Sequence, residues 1–413
     1  PRPGQGRGAY DTSTPPGIPA ADWEESPLAG KSRRSSPVNG SLLPAALAAS
    51  MGFACVLLAG RWSIPRLRRL TLYAGHSASP TLNALHAHKQ TTPTMGGLFV
   101  LAGFLIAVAI CADWRQPTVQ VALGLAVSLG ALGLVDDWLK ARRARRGLLP
   151  RQKLAGQLLI ALAAALWLRT TSDGLLTALP GKSWSSEVAL LLLVLWIVAS
   201  SNAVNVTDGL DGLATGCLLW ATTAVGWMIY HGLAAGAYQG FPLDPRDTNH
   251  LILCGALLGS LWGFLGFNRR PAQVFLGDTG SLSLGGLLGF LVLASGDPVA
   301  GTAACGVFVV ELASVVLQIG WFKSSGRRLL RCAPLHHHYQ FAGWSETQIV
   351  RGFCAVAAVC AAVGGYLGWE SNSAKVPAVA QARPDSPRPP GSLEPAERIE
   401  VMASSPETHA HHR

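Results

Sequence analysis

EVALLLLVLWIVASSNAVNVTDGLDG, residues 187–212, joins a long apolar run to a polar motif. The apolar run approaches the roughly 20 residues that a helix needs to cross a bilayer. The motif that follows spaces two amides and two carboxylates three residues apart, at Asn202, Asn205, Asp208 and Asp211. That interval keeps neighbouring side chains on roughly one face of a helix until the stripe drifts. The glycines at 209 and 212 suggest that the backbone opens there or approaches a ligand closely. The stretch therefore predicts a membrane-spanning helix that presents a polar face at the membrane surface.

The whole chain has the composition of a membrane protein. Of its 413 residues, 49% are hydrophobic and 14% are charged, whereas a soluble domain usually carries about 25% charged residues. Ten apolar runs are candidate spans, the fourth and eighth of them short: 42–60, 96–113, 118–135, 154–168, 187–204, 210–231, 250–267, 282–296, 299–322 and 349–368. Each must be helical, because an open strand would leave backbone groups unpaired in lipid. The predicted fold is an all-α, polytopic membrane protein with about ten transmembrane helices.

Two polar tails are predicted to flank this membrane domain, which covers residues 41–369. Residues 1–40 are rich in Pro, Gly and Ser, and residues 370–413 are rich in Pro. Neither tail has the apolar residues that would offset the entropy lost on ordering. Both are therefore predicted to be disordered.

Lysine and arginine are distributed unevenly over the nine loops between the spans. The odd-numbered loops carry eighteen of them and the even-numbered loops carry four. By the positive-inside rule the odd loops are cytoplasmic and both tails lie outside, although Lys31, Arg33 and Arg34 argue the other way. These loops explain the net charge of +10. Since no nucleic-acid-binding motif is present, no nucleic-acid partner is expected.

Every prominent polar motif falls on an odd loop or at its edge. The motifs are HKQTTPTMGG (88–97), DDWLK (136–140), NAVNVTDGLDG (202–212), NRRPAQVFLGDTGS (268–281) and PLHHHYQ (334–340). Segments far apart in sequence thus converge on one membrane face, which predicts a single active-site cleft facing the cytoplasm.

The carboxylates of these motifs are the candidates for catalysis in an acid-poor chain. Asp136 and Asp137 end the third span, where adjacent acids are costly unless they bind a cation or do acid–base chemistry; ion pairing with the next loop is the alternative. Asp208 or Asp211 could cap a helix, but capping explains one acid rather than both. Asp278 could also be an ordinary N-cap. With the other acids on the same face it is a candidate magnesium ligand, because Mg²⁺ binds carboxylate and phosphate oxygens.

The basic and aromatic side chains offer contacts for a phosphorylated ligand. Lys89 is a point-charge partner for phosphate. Lys140 and Lys153 flank a basic run that serves topology first and attraction to anionic lipid or substrate second. Three consecutive histidines at 336–338 can donate to phosphate or sugar oxygens or bind a metal, with a solvated loop as the alternative. Phe275 can stack on a base, or face lipid.

Taken together, the motifs resemble the polyprenyl-phosphate N-acetylhexosamine-1-phosphate transferase superfamily. PTMGG, the DD pair, NxxNxTDGLDGLA and FLGDTGS occur in the family order, and the resemblance spans about residues 65 to 368. PLHHHYQ is similar to the PLHHHYE loop of the muramoyl-pentapeptide branch, whereas the N-acetylglucosamine branch carries a differently spaced HIHH. RGLLPRQK also resembles the muramoyl branch.

The resemblance implies a ten-helix fold with a cytoplasmic cleft in the bacterial plasma membrane. It implies UDP-MurNAc-pentapeptide and undecaprenyl phosphate as substrates, lipid I and UMP as products, and Mg²⁺ as cofactor. The positions matching the family's catalytic acids are Asp136, Asp137, Asp208 and Asp278, with Asp278 and Asn205 as metal ligands. The positions matching substrate contacts are Lys89, Thr94, Lys140, Lys153, Asn202, Asn205, Asp211, Asn268, Phe275, His336 and His337.

Three positions depart from the family pattern, and several alternatives stay open. Thr91 stands where Gly is usual, Gln340 replaces a Glu, and Pro150 interrupts the residues before Lys153, which leaves the peptide stem of the substrate open. The rival enzyme is a UDP-GlcNAc:polyprenyl-phosphate GlcNAc-1-phosphate transferase. The rival of another class is a secondary transporter, which predicts an inverted repeat and acids near the midplane. A homodimer is left open, because no motif bears on oligomeric state.

Two routes for the transfer are also open at this point. In direct attack, Asp136 deprotonates or orients the lipid phosphate, which attacks the β-phosphate of the nucleotide sugar. In a two-step route, a carboxylate such as Asp137 acts as the nucleophile.

Overall fold

The computed structural model describes residues 37–69, 89, 92–142, 147–171, 185–238 and 245–374. These ranges contain twelve helices and no β-strand. In chain order they are α1 (Pro37–Arg69), α2 (Gly97–Cys111), α3 (Pro117–Arg142), α4 (Pro150–Thr171), α5 (Ser186–Thr207), α6 (Leu213–Tyr238), α7 (Pro245–Asn268), α8 (Gly277–Ala294), α9 (Pro298–Ala304), α10 (Gly306–Ser325), α11 (Leu335–Phe341) and α12 (Glu346–Ala374).

Nine helices in the described part of the chain are long and apolar enough to cross a membrane. The predicted all-α, multi-pass fold is confirmed. The second predicted span is α2, which is apolar but has 15 residues. At 1.5 Å per residue it is about 22 Å long, shorter than the roughly 30 Å hydrocarbon core.

The ninth predicted span, 299–322, is two helices rather than one. Asp297 caps α9 by accepting the N–H of Ala300 at 3.0 Å, and Pro298 occupies the first turn. The helical path then breaks at Cys305 before α10 begins. Hydropathy alone cannot show this break, because the residues on both sides of it are apolar. The predicted tails lie almost entirely outside the described residues, so their disorder stays a prediction.

Helix α8 is the centre of the bundle. Its residues from Thr279 to Leu293 are all buried, and it packs along α3 and α5 and against α2. Small residues allow this close approach, as is usual between membrane helices. A side chain at Gly285, for example, would come within 2.6 Å of the Ser200 carbonyl. The N-terminal end of α8, which carries Asp278, is therefore held among several helices.

Two further helix pairs complete the core around α8. Helix α1 lies along α7, and α12 lies along α6. Several helices keep large apolar side chains exposed, including α1, α4, α10 and α12, with Leu58, Leu159, Val316 and Val359 as examples. Such outward apolar faces suit helices that contact lipid.

Candidate active site

Asp278 joins four helices at the beginning of α8. Its Oδ2 accepts from Lys140 Nζ at 2.9 Å and Lys153 Nζ at 2.7 Å. Its Oδ1 accepts from Asn205 Nδ2 at 2.8 Å, and its carboxyl group also meets that of Asp136. These partners come from α3, α4 and α5. The prediction that the separated motifs converge is therefore confirmed for this group.

Gly277 makes the sharp entry into α8 that places Asp278. Its φ is +73°, a left-handed conformation that glycine adopts without steric cost. A side chain there would also come within 2.6 Å of Asp137 Oδ2 and 2.7 Å of Thr94 Oγ1. The backbone turn at Gly277 is thus surrounded by Asp137, Thr94 and Asp278.

The adjacent acids Asp136 and Asp137 have different environments. Asp137 accepts the backbone N–H groups of Asp278 at 3.1 Å and Thr279 at 3.0 Å, and the Thr279 hydroxyl at 2.7 Å. It therefore anchors the first turn of α8, where such groups otherwise lack partners. Asp136 accepts the Leu148 N–H at 2.5 Å and pairs with Lys140 at 2.7 Å. Both carboxylates are buried.

A cavity of about 400 Å³ opens beside Asp278 and contains several predicted site residues. Its floor is formed where α3, α4, α5 and α8 meet. Asn202 borders it and donates to Gln157 Oε1 at 3.0 Å. The lining residues are Asp136, Lys140, Gly147, Leu148, Pro150, Lys153, Leu154, Gln157, Asn202, Asn205 and Asp278.

The four polar residues of the 202–212 motif do not share one helix face. Helix α5 ends at Thr207, so Asp208 and Asp211 lie in the turn that leads to α6. The expectation that one helix face presents all four residues is wrong for these two acids, and the backbone leaves the helix beside Gly209, as the glycines suggested. Asn202 and Asn205 line the cavity, Asp208 accepts from the Gly277 backbone, and Asp211 points into a second cluster described below.

Asp208 is an acid whose protonation is strongly affected by its surroundings. It follows the last residue of α5 and is half-buried. Loss of hydration and the nearby charges of Asp278 and Asp137 raise its pKa to about 8. A carboxyl group in this state can hold or release a proton near neutral pH.

A second charged cluster connects three distant segments. Lys89 Nζ pairs with Asp211 Oδ1 at 2.6 Å and with Glu346 Oε1. Glu346 also accepts the Asp211 N–H at 2.9 Å and pairs with Arg270 at 2.9 Å. Lys89 lies 5.8 Å from the centre of the Phe275 ring, within cation–π range. The first polar motif, the 208–212 turn and the start of α12 are thereby fixed together.

Thr94 and Asn268 lie on backbone that supports this cluster. The segment around Thr94 runs beside Phe275: Phe275 N–H donates to the Pro93 carbonyl at 2.9 Å, and Gly96 N–H to the Phe275 carbonyl at 2.8 Å. Asn268 is buried and bonds to Thr215 at 2.8 Å and to the Val274 carbonyl at 3.1 Å. Its amide therefore shapes the loop that carries Phe275.

The histidine motif reaches the same region from α11. His336 is fully buried, and a side chain at Gly209 would overlap its Nε2 atom. His337 contacts Gln340 through Nδ1 at 2.7 Å, with its ring centre 4.2 Å from that of His336. The histidines are not a solvated loop, because α11 packs them against the rest of the protein.

Comparison with known proteins assigns this arrangement to a family. The model of glycosyl transferase family 4 matches residues 119–296. The phospho-N-acetylmuramoyl-pentapeptide-transferase of Geobacillus kaustophilus is 37% identical over 78% of this chain and 97% of its own length. The chain belongs to the phospho-N-acetylmuramoyl-pentapeptide-transferase family.

Other members of the phospho-N-acetylmuramoyl-pentapeptide-transferase family align over a similar range. The protein of Shouchella clausii is 36% identical over 77% of this chain and 95% of its own length. That of Nostoc sp. is 37% identical over 70% of this chain and 81% of its own length. The chain is accordingly a glycosyl-1-phosphate transferase, which excludes the transporter alternative.

The oxygen donors beside Asp278 suit a magnesium ion. Asp278 and Asp136 offer carboxylates and Asn205 an amide oxygen, which are hard ligands of the kind Mg²⁺ prefers. In the ranges that the structure describes, no three Asp, Glu, His or Cys side chains form a metal-binding group. This donor set fits an ion that has one or two protein ligands and completes its shell with substrate phosphates and water.

Several residues that the sequence analysis did not single out complete this transferase site. Gln157 bonds Asn202, Ser281 accepts from Asn205 at 2.8 Å, and the two buried acids Glu346 and Glu311 hold other motifs. Glu346 pairs with a lysine 257 positions away. The sequence signal for these acids is their rarity in the chain, because an acid within or beside a predicted span is costly unless it has a partner.

Proposed function

We propose that this chain transfers phospho-MurNAc-pentapeptide from UDP-MurNAc-pentapeptide to undecaprenyl phosphate, giving lipid I and UMP, at the cytoplasmic face of the bacterial plasma membrane. The observation that carries the proposal is the group formed by Asp278, Lys140, Lys153 and Asn205 at the cavity. It provides acids and cations where a diphosphate could bind. Family membership favours this reaction over transfer of GlcNAc-1-phosphate.

In the reaction, an oxygen of the lipid phosphate attacks the β-phosphorus of the nucleotide sugar. A new P–O bond forms as the bond to the bridging α,β-oxygen breaks, and UMP leaves with that oxygen. Lys140 and Lys153 lie where they can balance charge on the diphosphate. Asp136 orients the lipid phosphate or takes its proton. Mg²⁺, held by Asp278 and Asn205, would neutralise further diphosphate charge when bound.

The contacts of Asp137 favour direct attack over a two-step route. A nucleophile needs a free lone pair that can approach phosphorus. Asp137 is buried and accepts three hydrogen bonds from the start of α8. We therefore assign Asp137 to the support of Asp278 rather than to covalent catalysis.

The test is an assay of purified protein with Mg²⁺, undecaprenyl phosphate and radiolabelled UDP-MurNAc-pentapeptide. Labelled lipid I is expected, with no product from UDP-GlcNAc. Asp278→Ala should abolish transfer, while Asp113→Ala, which changes an exposed loop acid, should leave it intact. Chelation of Mg²⁺ should stop the reaction.

A second arm separates the two routes. Exchange of radiolabelled UMP into UDP-MurNAc-pentapeptide without undecaprenyl phosphate requires a covalent phosphosugar–enzyme intermediate. Direct attack predicts no exchange. Exchange that is lost in Asp137→Asn would establish the two-step route instead.

A further inference from the structure

Glu311 is a buried acid inside an apolar helix. It lies in α10, within a candidate membrane span, and its side chain is fully inaccessible to solvent. An ionised carboxylate in such a place is costly unless it is paired and hydrogen-bonded. The partners of Glu311 therefore indicate why an acid is present at this position.

Within the described part of the chain, the hydrogen bonds of the Glu311 carboxylate all go to the histidine motif. Oε1 accepts the backbone N–H of His336 at 3.0 Å, and Oε2 accepts that of Leu335 at 3.0 Å. Oε2 also lies 3.2 Å from His336 Nδ1. Because an ionised carboxylate can only accept, Nδ1 must carry a proton and donate it to this contact. Glu311 thus fixes both the position and the tautomer of the imidazole.

Among the residues that the structure describes, Nε2, the other ring nitrogen of His336, has no hydrogen-bond partner. Nε2 is buried. It is directed at Gly209, where an added side chain would overlap it. Gly209 lies in the turn between Asp208 and Asp211. A buried polar atom without a partner costs about 1–3 kcal/mol, so a group that is present only in the working complex would relieve this cost.

We infer that Glu311 is a positioning residue for the transfer reaction: it holds His336 so that the Nε2 lone pair accepts a hydrogen bond from a hydroxyl or N–H group of the nucleotide sugar at the 208–212 turn. This inference rests on the proposed function. Carboxylate–imidazole pairs fix the tautomer in this way in metal sites and in catalytic triads. Here the pair joins α10, a candidate membrane span, to the short helix α11.

Glu311→Gln tests the inference because it keeps the side-chain size while reversing the hydrogen bond. A glutamine amide facing Nδ1 would donate, moving the imidazole proton to Nε2 and removing the lone pair. We expect kcat/KM for the nucleotide sugar to fall about 10–100-fold, the range seen when such supporting partners are removed. Ser314→Ala, on the same helix, removes only a bond to the Glu311 carbonyl and should leave kcat/KM unchanged.

A double-variant cycle distinguishes positioning from a general loss of structure. If Glu311 acts through His336, Glu311→Gln should have less than a threefold effect in a His336→Ala background. The inference would be overturned if the effects of the two substitutions on kcat/KM were fully additive. It would also be overturned if Glu311→Gln alone left kcat/KM unchanged. A wild-type protein with no transferase activity would instead refute the proposed function.

A spectroscopic measurement covers the case in which Glu311→Gln does not fold. In ¹⁵N-histidine-labelled wild-type protein, the His336 signals, identified by their absence in His336→Ala, should show a protonated Nδ1 and an unprotonated Nε2. Addition of UDP-MurNAc-pentapeptide should shift the Nε2 resonance. A proton on Nε2 of the neutral ring, or no shift with saturating nucleotide sugar, would overturn the inference.

Discussion

At the scale of single residues, one carboxylate oxygen of Asp278, Oδ2, accepts hydrogen bonds from both Lys140 and Lys153. Lys140 also pairs with Asp136, so two carboxylates and two ammonium groups form a nearly neutral cluster. A diphosphate that enters the cavity brings additional negative charge. The lysines can turn toward it only if another cation takes their place on Asp278. If Mg²⁺ binds here as proposed, the cluster would link substrate binding to the ion.

Lys153→Met is expected to lower kcat/KM for the nucleotide sugar by about 10²–10³-fold, the effect of removing one group that stabilises charge in a transition state. Lys153 contacts both Asp278 and Asn205. Steady-state assays at several Mg²⁺ concentrations measure the loss. Lys323→Met, an exposed lysine at the end of α10, is the control. Equal activities of the two variants would contradict the role of Lys153.

Asp208 gives a prediction about pH and stability. Its folded pKa of about 8 lies above the value of roughly 3.9 for an unfolded chain, so the folded protein binds the extra proton. The contribution of Asp208 to the free energy of unfolding is therefore highest at low pH and decreases as pH rises from about 4 to 8. In EDTA, Asp208→Asn should raise the thermal midpoint relative to wild type, and more at pH 8.5 than at pH 5.5. If the difference in thermal midpoint between Asp208→Asn and wild type shrinks as pH increases, the raised pKa of Asp208 is contradicted.

At the scale of helices, the apolar runs predicted the elements but not their ends. The spacing of the 202–212 motif predicted that the four polar residues share roughly one helix face, yet α5 ends at Thr207 and the backbone turns through Gly209 and Gly212. The glycines did indicate that the backbone could open there. Where it opened depends on contacts with α8 and α11, which sequence spacing does not contain.

Side-chain roles were less predictable than helix positions. The DD pair identified two important acids, but only the packing of α3 on α8 separates Asp137, which anchors a helix, from Asp136, which faces the cavity. Glu311 and Glu346 were missed for the same reason. Their partners lie on other helices, and an acid within an apolar run gives no sign of which residue it meets.

Gly133 is the place where α3 approaches the start of α8. A side chain there would overlap the Asp278 carbonyl. Gly133→Ala should therefore destabilise the protein by about 1–3 kcal/mol, as overpacked cores do, and should displace Asp278 enough to reduce transfer. Thermal unfolding in detergent and the lipid I assay measure the two effects.

Gly124→Ala is the matched control for this change, because it lies on the same helix and has nothing within 4 Å of the new methyl group. It should retain wild-type activity and stability, with a small gain from the better helix propensity of alanine. If both variants behave alike, close packing at Gly133 is not what positions Asp278.

At the scale of the whole molecule, one membrane face must receive a water-soluble nucleotide sugar while the other substrate stays in the bilayer. The motifs meet where α3 ends and α8 begins. Both helix ends adjoin loops that the charge distribution assigns to the cytoplasm. In the proposed orientation, the acids, amides and imidazoles of these motifs would face the compartment in which nucleotide sugars are made.

The orientation can be tested with introduced cysteines in a Cys332→Ser background. Ser324→Cys lies at the exposed end of α10, beside the basic loop, and Arg115→Cys lies in the exposed connection between α2 and α3. Because positive charge is retained on the cytoplasmic side, a membrane-impermeant maleimide should label Arg115→Cys in intact cells. Ser324→Cys should be labelled only after the plasma membrane is permeabilised. The reverse pattern would place the Asp278 cavity on the outer face of the membrane. The UDP-linked substrate could not reach it there, and the proposed reaction would be contradicted.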